Sequence, residues 1–93
     1  MIIAVDFDGT LRFDDGSPNM PLIKRLKANQ RNGDTVILWT SRRNIQEAVM
    51  FLKRCGFVPN LVNANAPQAI KMLGHDPRKI YADMYIDDKA VRV

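Results

Sequence analysis

Two aspartates separated by one residue follow a short apolar run at the start of the chain. Asp6 and Asp8 come directly after Ile2–Val5, and Gly9 is the next residue. Because side chains alternate across a strand, a strand ending here directs both carboxylates to one side. Such a pair repels unless a cation neutralises it or one carboxyl is protonated, and oxygen ligands at close quarters suit Mg²⁺. The spacing therefore predicts a magnesium site at the end of the first strand.

A second polar group follows the apolar run that begins at Thr35. Thr40 and Ser41 supply hydroxyls and a backbone amide at a turn, and Arg42 supplies a cation, so this segment could bind an anionic ligand. Arg42 fits a solvated surface position equally well. Open α/β sheets bind ligands at the carboxyl ends of their strands, so we expect this segment to share a site with Asp6.

The last apolar run of the chain ends in two adjacent aspartates. Asp87 and Asp88 offer further carboxylate oxygens for the same cation. Upstream of them, Arg78 and Lys79 are positive charges that could hold a phosphoryl oxygen. Lys79 is nearly as compatible with a solvated surface charge.

Four short apolar or β-branched runs end in polar residues, as is typical of strands buried in a parallel sheet. The runs are Ile2–Val5, Thr35–Trp39, Leu61–Val62 and Met84–Ile86. Helical patterns separate them. Strands that alternate with helices predict one α/β domain over residues 1–93, a Rossmann-like three-layer domain with a short parallel sheet flanked by helices.

Three segments carry helical signals. The clearest has apolar residues at helical spacing from Ile45 to Cys55, with Asn44 and Glu47 as a capping box. An earlier helix begins near Pro21 and ends before a glycine, and a third covers Gln68–Leu73. Trp39 and Cys55 fall in apolar patterns and are predicted to be core residues.

The composition is that of an ordinary globular protein. With 93 residues, 46% of them hydrophobic and 26% charged, the chain has room for one core and no apolar run that could span a bilayer. Its net charge of +4 comes from scattered residues, so the signal for nucleic acid is weak. A single Cys55 indicates a reducing compartment, and we expect the cytoplasm.

Together, the motifs resemble those of the haloacid dehalogenase (HAD) superfamily. The segment from Asp6 to Thr10 resembles the first motif of that family, Thr40 the second, Lys79 the third, and the pair Asp87 and Asp88 the fourth, in the order of the family. The resemblance covers nearly the whole chain. It implies a magnesium-dependent phosphatase that hydrolyses a phosphomonoester through an aspartyl phosphate.

By that resemblance, Asp6 attacks phosphorus, and Asp8 protonates the leaving oxygen and then activates water. The Mg²⁺ ion would be held by the Asp6 carboxylate, the Asp8 carbonyl and Asp87, and Asp88 is the alternative direct ligand. An aspartate at position 8 fits phosphate-ester hydrolysis, since dehalogenase members of the family expel a halide, which needs no proton.

The resemblance also assigns the phosphate-binding groups. Thr40 and Lys79 would bind the phosphoryl group, with Ser41 and Arg42 beside them. Lys71, on the predicted third helix, competes with Lys79 for the lysine position.

The chain lacks room for the cap domain that closes most sites of this family, so it resembles the capless branch. The entrance would then be open, covered only by the loop over residues 11–20, or closed by a second copy of the chain in a homo-oligomer. The expected partner is a phosphorylated small molecule or a nucleic-acid end, with no membrane. A polynucleotide end-phosphatase or nucleic-acid-associated protein is the alternative function. A receiver-like phospho-acceptor domain fits less well, because the third strand runs into Asn63 rather than an aspartate.

Overall fold

A parallel sheet of four strands forms the centre of the computed structural model, which describes residues 1–88. The strands are β1 (Ile2–Val5), β2 (Thr35–Leu38), β3 (Leu61–Val62) and β4 (Met84–Ile86). The helices are α1 (Met20–Arg31), α2 (Ile45–Arg54) and α3 (Pro67–Leu73). In the order β3-β2-β1-β4, the first strand lies inside the sheet, between β2 and β4. The predicted elements are confirmed, with β2 ending one residue earlier than expected and α3 beginning one residue earlier.

The helices lie on both faces of the sheet. Ile23 and Leu26 of α1 and Leu52 of α2 pack in one buried cluster, and Ala69 of α3 belongs to a second. This arrangement follows from the strand order, because the chain steps from β1 to β2 to β3 in one direction and then returns past β1 to reach β4. Crossovers of one hand place the returning helix on the opposite face. The three-layer Rossmann-like architecture predicted from the sequence is therefore confirmed.

The start of α2 has one half of the predicted capping box, because the Glu47 side chain accepts from Arg42 and not from the Asn44 N–H. The Asn44 side chain accepts a hydrogen bond of 3.1 Å from the backbone N–H of Glu47. Ala48 and Leu52 of this helix are buried. A capping bond of this kind stabilises a helix by about 1 kcal/mol. The local sequence thus determines where α2 begins and where the loop before it ends.

A buried asparagine connects β3 to the segment that leads into β4. Asn65 is only 7% exposed. Its amide nitrogen donates to Asp76 Oδ1 at 3.0 Å and to the Pro77 carbonyl at 2.9 Å. Its side-chain oxygen accepts a 2.7 Å bond from the Tyr81 N–H. One side chain therefore holds the approach to β4, the strand that carries Asp87.

The loop after β1 folds back on itself. The Phe13 N–H donates to the Ser17 carbonyl at 2.8 Å, and the Gly16 N–H donates to the Phe13 carbonyl at 2.9 Å. Leu11 is fully buried at its base, whereas the turn itself is exposed. Among residues 1–88 no helix has the length and apolar character needed to cross a membrane.

We expect Asn65→Ala to destabilise the protein by about 2 kcal/mol, because the Tyr81 N–H would lose its acceptor in a part-buried setting. For a domain of this size, that change lowers the thermal midpoint by roughly 8–16 °C. The matched control is Asn32→Ala, at an exposed asparagine after α1. Thermal denaturation followed by circular dichroism measures both, and equal midpoints for the two variants would contradict the role assigned to Asn65.

Candidate functional site

Three carboxylates meet where β1 and β4 end. Asp6, Asp87 and Asp88 each offer an oxygen, and these oxygens all lie within 4.8 Å of one another. The Asp6 backbone N–H donates to the Ile86 carbonyl at 2.9 Å, which continues the pairing of β1 with β4 to the residue that bears the carboxylate. The strand order reverses at this pair of strands, the position where open α/β sheets bind ligands. The cluster is thus a product of sheet topology.

The environment of Asp6 disfavours its charged form. Burial is the main cause that raises the pKa of this carboxyl, and the negative charges of Asp87, Asp88 and Asp8 raise it further. A hydrogen bond from the Phe7 backbone acts in the opposite direction. A carboxylate in such a setting is stabilised by a proton or by a cation.

A cleft of about 240 Å³ opens beside the cluster. It is lined by Asp6, Trp39, Thr40, Ser41 and Asp87. The two hydroxyl residues thus face the same space as two of the carboxylates. This is the combination of anion-binding and cation-binding groups that the strand ends predicted.

Thr40 is held in place from two directions. It is 7% exposed, and its hydroxyl accepts a 3.2 Å bond from the Arg42 N–H. The Asn63 side chain spans the Thr40 peptide groups: it accepts from the Thr40 N–H and donates to the Thr40 carbonyl, both at 2.8 Å. Asn63 therefore fixes the end of β2 relative to the end of β3.

Asp8 points to cationic partners instead of joining the three carboxylates. Arg42 Nη1 donates to Asp8 Oδ1 at 2.8 Å, and Arg12 lies 3.5 Å from the same oxygen. Strand alternation predicts that Asp6 and Asp8 share one side of the strand, but β1 ends at Val5 and the chain turns just after Asp8, at Gly9 and Thr10. The negative charge of Asp8 is still close enough to affect Asp6.

Gly9 leaves the space that Asp88 occupies. Its φ is +78°, a conformation that favours glycine. A Cβ at this position would overlap Asp88 Oδ2 and would lie 3.0 Å from Asp88 Cγ. The absence of a side chain at Gly9 thus allows the third carboxylate to approach the loop after β1.

The predicted cationic phosphate ligands do not line the cleft. Arg42 directs one terminal nitrogen to Asp8 and the other to Glu47. Lys79 is exposed, and its carbonyl lies 3.4 Å from the Asn65 amide nitrogen. Lys71 is exposed on α3.

Several site residues were not found from the sequence. At Asn63 the sequence shows only that the third strand does not end in an aspartate, and Arg12 belongs to no motif. Trp39 was predicted to be core, which is wrong, because it is 37% exposed and lines the cleft. Its position next to Thr40 was the available signal. Cys55, in contrast, is partly buried and packs against the main core cluster.

The site geometry can be set beside known proteins. No protein-family model and no curated protein matches the chain. A solved structure does match: a conserved protein coded by a locus from Bacteroides thetaiotaomicron, with 32% sequence identity and a TM-score of 0.81. The match covers 98% of this chain and 78% of that one. The chain therefore belongs to the same family as this conserved Bacteroides thetaiotaomicron protein.

Proposed function

We propose that the protein is a magnesium-dependent phosphatase of the HAD type, which hydrolyses a phosphomonoester through an aspartyl phosphate on Asp6. The observation that supports this proposal best is the meeting of Asp6, Asp87 and Asp88 beside a cleft lined by Thr40 and Ser41. Carboxylates that can bind a cation and hydroxyls that can bind an anion then face one space. A metal-bound phosphoryl group satisfies both.

The donor set fits Mg²⁺. The side chains that would hold it offer only carboxylate oxygens, which are the ligands that Mg²⁺ prefers in proteins. Asp6, Asp87 and Asp88 are the candidate side-chain ligands, with the Asp8 carbonyl as the backbone ligand implied by the family resemblance. When bound, the ion would neutralise charge on the phosphoryl oxygens and on the cluster.

In this mechanism a carboxylate oxygen of Asp6 attacks phosphorus, and the bond from phosphorus to the ester oxygen breaks. Asp8 gives its proton to the departing oxygen. Asp8 then accepts a proton from the water that attacks the aspartyl phosphate, which releases inorganic phosphate and regenerates Asp6. In this proposal Asp8 acts from the loop after β1, where its side chain is 54% exposed and lies beside Arg42 and Arg12.

Thr40 and Ser41 carry the phosphate-binding role in this proposal, because they line the cleft. Lys79 and Lys71 remain the candidates from the sequence for a phosphate-binding lysine, although neither lines the cleft. The proposed substrate is a phosphorylated small molecule. The proposed location is the cytoplasm, on the basis of the single, unpaired Cys55.

Asp6→Asn should abolish phosphate release, because an amide cannot serve as the nucleophile. We expect a loss of at least about a thousandfold in kcat. The assay is release of inorganic phosphate from an aryl phosphate, with and without a chelator of Mg²⁺. Asp14→Asn, at an exposed loop aspartate, is the matched control and should retain activity. Full activity in the Asp6 variant would contradict the covalent mechanism.

The same substitution should stabilise the metal-free protein at neutral pH. The pKa of Asp6 is raised in the folded state, so the folded protein keeps this proton to a higher pH than the unfolded chain. The contribution of Asp6 to stability is therefore fully present at acid pH and is lost as the pH rises through the raised pKa. We expect Asp6→Asn to raise the thermal midpoint at pH 7 and to have little effect near pH 3.

Added Mg²⁺ should then raise the midpoint of the wild-type protein more than that of the variant, since a ligand that binds the folded state stabilises it. Differential scanning fluorimetry measures both effects. A midpoint at pH 7 that falls on substitution, or an equal response of the two proteins to Mg²⁺, would count against the cluster as a cation site.

Gly9→Ala should displace Asp88 and weaken Mg²⁺ binding. Gly16→Ala is the matched control: its φ is +88°, and its new Cβ would meet nothing within 4 Å among residues 1–88. Both variants bear a similar backbone penalty of roughly 1–2 kcal/mol. We expect similar thermal midpoints without metal, and a Mg²⁺ requirement for activity that rises by about tenfold in Gly9→Ala alone. Equal requirements in the two variants would show that Asp88 does not act through Mg²⁺.

A further inference from the structure

Two aromatic side chains lie exposed next to the candidate site. Trp39 lines the cleft together with Asp6 and Thr40 and is 37% exposed. Tyr85, one residue before the end of β4, is 39% exposed. Their rings contact each other edge to face, with centroids 5.7 Å apart and an interplanar angle of 66°. The pair is thus a single aromatic surface that reaches into the cleft.

The sheet explains why this surface is left uncovered. Ala4 on β1 pairs with Ile37 on one side and with Tyr85 on the other. The ladder continues to Trp39, whose N–H donates to the Val5 carbonyl at 2.9 Å, so Trp39 lies on the same face as Ile37. Among residues 1–88, α3 is the helix on that face, and it is seven residues long. The two rings lie where α3 does not cover the sheet.

The tyrosine ring is fixed in position by its hydroxyl group. Tyr85 Oη donates to the Ile80 carbonyl at 2.6 Å and accepts a 3.0 Å bond from the Ala82 N–H. An aromatic side chain held in this way loses little conformational entropy when it binds a ligand. The Trp39 and Tyr85 pair therefore presents a prepared apolar surface immediately beside charged groups.

We propose that Trp39 and Tyr85 form a stacking platform for the leaving group, and that the substrate is a phosphomonoester whose leaving group carries a planar aromatic ring, as in a nucleotide. This inference rests on the proposed function, because Asp6 and Thr40 anchor the phosphoryl end of the substrate. The leaving group, at the other end of the bound substrate, must then lie along the cleft, and Trp39 forms one wall of that cleft. A planar ring gains dispersion and stacking energy there that an alkyl or sugar group does not.

A matched pair of substrates tests the platform. Adenosine 5′-monophosphate and ribose 5-phosphate both release phosphate from a primary 5′ oxygen, so they differ at the ring and not at the reacting bond. Stacking of a base on an aromatic side chain raises the binding affinity by about 5- to 150-fold. We expect kcat/KM to favour the nucleotide over the sugar phosphate by at least about tenfold. A 5′-phosphorylated oligonucleotide, as a third substrate, distinguishes a free nucleotide from a nucleic-acid end as the source of the ring.

Variants at Trp39 separate stacking from simple apolar contact. Trp39→Phe keeps an aromatic face and should retain most of the preference for the nucleotide. Trp39→Leu keeps an apolar side chain without that face and should bring the ratio of the two kcat/KM values close to one. Circular dichroism checks that both variants fold. Equal ratios in the wild-type protein and Trp39→Leu would overturn the proposal.

A binding measurement keeps this inference separate from the phosphatase assignment. Trp39 is the only tryptophan, so fluorescence excited at a wavelength that tyrosine does not absorb reports on Trp39 alone. In the Asp6→Asn protein, adenosine and its monophosphate should quench this fluorescence, and ribose 5-phosphate should not.

Quenching without turnover by the wild-type protein would retain the platform and refute the phosphatase. Turnover with no preference and no quenching would refute the platform alone. Fluorescence that changes with protein concentration and not with adenosine would mean that a second copy covers Trp39, and it would also refute the platform.

Discussion

The candidate site depends on the parallel pairing of β1 with β4. This pairing, continued by the bond from the Asp6 N–H to the Ile86 carbonyl, joins the beginning of the described chain to its end and brings the carboxylates of Asp6 and Asp87 together. Like charges would separate if the backbone allowed it. The hydrogen bonds between β1 and β4 oppose that separation, and β1 is itself held in place because it is buried and is bonded on its other side to β2. The hydrogen-bonded ladder therefore opposes the electrostatic repulsion of the cluster.

Two asparagines after β3 support this arrangement from a distance. Asn63 fixes Thr40 at the end of β2, and Asn65 holds the segment from Asp76 to Tyr81 that leads into β4. One short loop therefore positions groups on both sides of β1. Side-chain amides suit this task, because each can both donate and accept a hydrogen bond. The loop carries no carboxylate of the cluster, yet it orders the strand ends that line the cleft.

The sequence predicted the strands, the helices and the grouping of Asp6, Thr40 and Asp87, because apolar runs, helix caps and strand order act through local or topological rules. It did not predict where the side chain of Asp8 points, since alternation applies only inside a strand and β1 stops at Val5. Trp39 was misassigned because an apolar residue is buried only where another layer covers it. Contacts of that kind depend on three-dimensional packing.

The placement of β4 has a consequence for dynamics. In the sheet that residues 1–88 form, β4 is an edge strand of three residues, and its Met84 and Tyr85 are exposed. Short edge strands with little buried surface can detach from a domain while the rest stays folded. Such a local opening would carry Asp87 and Asp88 away from Asp6. Any ligand that bridges the two strands would therefore close the sheet as it binds, and would slow the exchange of the β4 amide hydrogens with solvent.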